Sequence, residues 1–260
     1  MKQFLKPKLL PLISLAAGLL GLLLQGLLFL LTMDQRGLVS SPHFLHIFAL
    51  LIHGGALALF ALCVLPLEGH NRYGDNYPAS LPGGLGSFAL AAGILLTIPG
   101  HLNISGNVLG LLWLALGVFA LPCLIFTGIC RLQGKRPAFL FHSVTCLFFA
   151  VHLVLSCRVW SKEPQICTYI FALLGCVALM LSAYYRAAFD SGIGRRRMQL
   201  FTGLAAGCLC LAAIPGSDSP LLFLGGSVWA LTNLCVLEPP KRRRRQEEVP
   251  PETPAAPGEV

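Results

Sequence analysis

Eight continuous apolar stretches, separated by short polar connections, occupy nearly the whole chain, and the basic residues fall almost entirely on alternate connections. The stretches lie near 9–32, 43–66, 84–100, 107–130, 138–158, 165–187, 199–215 and 220–237. A helix rises 1.5 Å per residue, so a hydrocarbon core of about 30 Å needs about 20 apolar residues. Six stretches meet that length, and the third and seventh, at roughly 17 residues, sit at its lower limit. None shows the alternation of a barrel strand. Composition agrees: 12% of residues are charged, 55% are hydrophobic and the mean hydropathy is +0.74. A soluble domain carries about a quarter charged residues to cover its surface. The expected fold class is therefore all-α, a polytopic integral membrane bundle of about eight helices.

Lysine and arginine set the expected orientation. Lys2, Lys6, Lys8, Arg72, Arg131, Lys135, Arg136, Arg186, Arg195, Arg196, Arg197 and the run Lys241–Arg245 fall on one side. Only Arg36, Arg158 and Lys162 fall on the other. The positive-inside rule then places both ends of the chain in the cytoplasm, and the plasma membrane is the expected location. Miscounting one span would reverse the alternation downstream, so the charges support the count as well. The basic start followed by an apolar run superficially fits a secretory signal. Yet the run is too long for an h-region and no small-x-small site follows it, so it reads as a retained first helix.

Residues 1–240 thus read as the transmembrane domain and 241–260 as a basic anchor with a tail. That tail, QEEVPPETPAAPGEV, is acidic, proline-rich and poor in large apolar residues, a composition that does not fold alone. A cationic run held against a bilayer suits anionic lipid headgroups and argues against nucleic acid. The third and seventh stretches share a Leu-Ala-Ala-Gly segment and both end in Ile-Pro-Gly (98–100 and 214–216), a hint of two parallel four-helix repeats. Gly203 with Gly207, and Ala89 with Gly93, form small-residue ridges. Such ridges let helix backbones approach closely, within one chain or in a homodimer with a membrane partner. Pro122, inside its span, predicts a kink.

Chemistry-bearing residues are sparse. No Lys, Asp or Glu falls in the central part of any span, which disfavours retinal attachment and carboxylate-based proton or sodium relays. Histidine remains. His46, His53 and His152 fall about 5, 15 and 9 Å below the outer boundary, at 1.5 Å per residue. An outward cavity lined by these imidazoles would suit zinc or copper, or a single haem, although hydrogen bonding to neighbouring polar groups is the commoner use. The segment Tyr184–Arg197 ends the sixth span with Arg186, Asp190, Arg195, Arg196 and Arg197. It reads as an aromatic belt and topology anchor, or as a cradle for an anion or lipid headgroup. Arg186 and Asp190, four apart, are expected to pair.

The ten cysteines include no Cys-x-x-Cys, and those within spans read as small apolar residues. Cys157 and Cys167 flank one outer connection and would bridge in an oxidising compartment. No nucleophile motif, phosphate loop or paired-carboxylate arrangement occurs. The expectation is a non-enzymatic multi-pass protein without a cofactor, serving as an accessory or assembly component. A small permease is the second reading, and a histidine-based metal or haem redox protein the third.

Overall fold

A computed structural model describes residues 9–32, 44–66, 73, 77–100, 108–161 and 169–235. Eight α-helices lie within them: α1 (Leu9–Thr32), α2 (Phe44–Val64), α3 (Leu81–Thr97), α4 (Val108–Leu132), α5 (Phe139–Trp160), α6 (Ile170–Ser191), α7 (Arg196–Ala213) and α8 (Pro220–Cys235). No strand occurs among the described residues. Six helices are long and apolar enough to cross a membrane, α7 by way of its 3-10 extension Ile214–Gly216. The two shorter ones, α3 and α8, have 17 and 16 residues. The chain therefore has the character of a multi-pass membrane protein, with six helices long enough to span and two short apolar helices.

The helices pack in a closed circuit, α3 on α4, α4 on α5, α5 on α6, α6 on α7, α7 on α8 and α8 back on α3. The α1–α2 pair stands outside this circuit and packs on α7. Burial follows from that placement: 78% of the apolar window of α7 is interior, against 22% for α2. The exposed side chains of α1, α2 and α4 are large and apolar, among them Leu23, Leu30, Leu51, Leu62, Val108 and Phe119. Water cannot face such a perimeter, and lipid can. The two proposed halves pack differently, because α6 lies along α7 whereas α2 and α3, their counterparts, do not pair in this way. Both Ile-Pro-Gly segments nevertheless leave their helices through a 3-10 turn.

The most extensive helix contact joins α3 and α8, and close backbone approach explains it. A Cβ added at Gly93 would lie 2.7 Å from the Leu221 carbonyl oxygen, and one at Gly225 would lie 2.6 Å from that of Ala89. The Ala89–Gly93 ridge is thus used within the chain. Gly203 and Gly207 instead make room for the side chains of Leu234 and Leu231 of α8. Polar side chains add interhelical bonds: Ser14 donates to the Leu204 carbonyl at 2.7 Å and Ser227 to that of Gly207 at 3.2 Å. Cys176, Cys208 and Cys210 are buried free thiols filling gaps in the core. The helix continues through Pro122 as one element.

Candidate functional site

Up-and-down threading brings the starts of α1, α3, α5 and α7 and the ends of α2, α4, α6 and α8 to one end of the bundle. A core of Leu10, Phe60, Val64, Tyr73, Tyr77, Phe189, Leu200, Leu204, Cys208 and Leu234 closes that end. Local signals fix the helices here. Ser80 caps α3, its hydroxyl accepting from the Gly83 amide at 3.3 Å, with Pro82 in the first turn. The Ser80 amide donates to the Arg131 carbonyl at 3.1 Å and so fastens the start of α3 to the end of α4. Gly192, at φ 88°, ends α6 in the left-handed conformation that glycine adopts without strain.

Against this frame three arginines lie inside the protein: Arg131 at 1% exposure, Arg186 at 1% and Arg196 at 4%. Arg186 and Arg131 share the ring of Tyr77, their guanidinium carbons 3.6 and 4.6 Å from its centroid. Tyr73 lies 6.0 Å from each, and its hydroxyl accepts from Arg131 Nη1 at 3.4 Å. A desolvated cation over an aromatic face gains ~2 kcal/mol. The two like charges repel one another, and their contacts with the ring face offset that repulsion at least in part. Burial pushes the Tyr77 phenol above its ordinary range, against the pull of the Arg186 and Arg131 charges.

Carboxylate does not complete the balance. Asp190 is the acidic residue buried here among the described residues, and its Oδ2 lies 2.5 Å from Nδ1 of His142 at the start of α5. Arg136 Nε donates to the Asp190 backbone carbonyl. The expected pairing of Arg186 with Asp190 is thus replaced: neighbouring helices offer Asp190 a histidine and Arg186 a tyrosine face. Arg186 Nε, Nη1 and Nη2 and Arg131 Nε and Nη2 are shut away from solvent with no acceptor in good hydrogen-bond geometry among the described residues, and the Tyr77 hydroxyl is buried beside Arg186. Each orphaned buried donor costs on the order of 1–3 kcal/mol, and more on a charged group. Five such nitrogens on two cations define a site suited to accepting oxygens of an anion.

Sequence reasoning named Arg186, Arg195, Arg196 and Arg197 for an anion or headgroup. The structure brings Arg186 and Arg196 inside and leaves Arg195 and Arg197 exposed. It adds Arg131, which the sequence places only among the basic residues of one side, together with Tyr73, Tyr77, His142 and Asp190. The tyrosine spacing of four, 73 and 77, was the one available signal.

The histidines of the other half are engaged separately. His53 is buried, with Nδ1 2.7 Å from the Ala49 carbonyl and its ring 4.8 Å from that of Phe171. His46 lies 6.4 Å from the same ring. His152 accepts from Trp113 Nε1 at 3.0 Å and stacks on Phe148. Among the described residues no group of three or more His, Cys, Asp or Glu is placed to hold a metal ion. Cys157 is a free thiol, while Cys167 and the 241–260 segment lie outside the described residues. Comparison with protein-family models, curated proteins and solved structures finds no match to this chain.

Proposed function

We propose that this chain is a non-enzymatic multi-pass membrane protein that recognises an anion at the arginine-bearing end of its bundle. The observation that supports the reading is the pair of buried guanidinium groups, Arg131 and Arg186, whose nitrogens, apart from Arg131 Nη1 on Tyr73, lack acceptors in good geometry among the described residues. In this reading all eight helices cross the bilayer, both ends of the chain are cytoplasmic, and the site opens toward the cytoplasm. The chain works as a binding component of a larger membrane assembly. Tight side-chain packing along the interior supports this over a permease: Trp113, Phe148, Phe149, Leu179, Leu209 and Trp229 fill the core between the circuit helices.

The test is thermal unfolding of the full chain in detergent, across sodium salts at constant ionic strength with gluconate as reference. Sulfate and phosphate stabilise many proteins by exclusion from their surfaces, so the variant comparison decides. Wild type gains stability from a small anion, and Arg186→Gln or Arg131→Gln loses that gain. Equal salt responses in wild type and both variants sink the reading.

A further inference from the structure

Resting on that reading, we propose that the site takes a phosphomonoester dianion, presented either on a lipid headgroup or as a free phosphate. Donor number and charge both point there. Arg186 offers all three guanidinium nitrogens and Arg131 two. A halide presents one atom and a carboxylate two oxygens. A phosphoryl group presents three terminal oxygens, enough to engage two guanidinium forks together. A phosphomonoester carries close to two negative charges at neutral pH, matching two guanidinium groups, whereas a phosphodiester carries one.

Asp190 lies within electrostatic reach of Arg186, but its Oδ2 is bonded at 2.5 Å to His142 and it forms no ion pair with either arginine. Depth also fits. Arg131 stands in the last turn of α4 and Arg186 nears the end of α6, the level at which headgroup phosphates lie in a bilayer. Gly83 helps to shape the site, since a Cβ there would come within 3.2 Å of Arg131 Nε and Nη2. Bare backbone at the start of α3 thus lies beside the guanidinium. A helix N-terminus in that position adds attraction for an anion and none for the arginine.

The full chain in detergent is titrated with short-chain phosphatidic acid, short-chain phosphatidylglycerol, inorganic phosphate, glycerol phosphate and chloride, with dissociation constants from calorimetry. The expected result is binding of at least one phosphomonoester roughly tenfold or more tighter than phosphatidylglycerol and chloride. Phosphatidic acid binding alone assigns the lipid source; inorganic or glycerol phosphate binding assigns the soluble one. Arg186→Gln weakens that binding roughly tenfold to a hundredfold. Should Arg186→Gln fail to fold, Arg131→Lys decides, because it keeps the charge and removes the planar fork; it weakens phosphomonoester binding by at least roughly tenfold. Equal binding of phosphatidylglycerol or chloride overturns the dianion assignment and leaves anion recognition standing. Absence of any binding overturns both.

Discussion

Tyr77 shows how one side chain holds an otherwise unfavourable arrangement. Its ring faces two guanidinium groups, and its hydroxyl is buried beside them. Burial raises the phenol above the ordinary 10.0 despite the two nearby cations. In the unfolded chain the phenol ionises at its ordinary value while the folded protein keeps its proton. The stabilisation is therefore full below pH 10 and falls as pH rises through the folded value. Alkaline unfolding, followed by circular dichroism, should begin at higher pH in Tyr77→Phe than in wild type. Tyr77→Ala removes the ring itself and should cost about 3–5 kcal/mol of stability in denaturant titration at neutral pH. None of this is readable from the sequence immediately around Tyr77. Its role depends on Arg131 of α4 and Arg186 of α6, which stand 54 and 109 positions away in the chain.

At the level of elements, glycine position decides which helices touch. Gly225 and Gly93 meet backbone oxygens across the α3–α8 seam, so an added methyl has no side chain to push aside. Gly225→Ala should lower stability by about 1–3 kcal/mol, measured by thermal unfolding in detergent. Gly54→Ala on α2 serves as the control: nothing lies within 4 Å of its Cβ, and a helical glycine replaced by alanine gains rather than loses. The ridge on the third helix was legible as a small-residue repeat, and its partner was not. Small-residue spacing identifies a face able to pack closely, while the choice of neighbour depends on the circuit as a whole. The same limit explains Asp190. Spacing of four predicted Arg186 as its partner, but His142 arrives from α5 in a position that a single helix cannot reveal.

For the whole molecule, the proposed eight crossings would bring both ends of the chain out on one side. Reporter fusions at the two ends should give the same cytoplasmic signal. A membrane-impermeant maleimide should label the exposed Cys235 only after permeabilisation and the half-buried Cys157 in intact cells. Opposite reporter signals, or Cys235 labelling in intact cells, would remove one crossing and reverse every helix after it.

Helix existence, approximate bounds and membrane character were present in the one-dimensional pattern, because burial in lipid demands runs of apolar residues of a set length regardless of neighbours. The arginine side was present too, since charge placement obeys the bilayer and not the fold. Tertiary structure alone decided that Arg131 and Arg186 turn inward onto one tyrosine, that Asp190 joins His142, and that His152 stands apart on Trp113. Those arrangements join residues on different helices, and the sequence pattern of one helix carries no record of which other helix will lie against it.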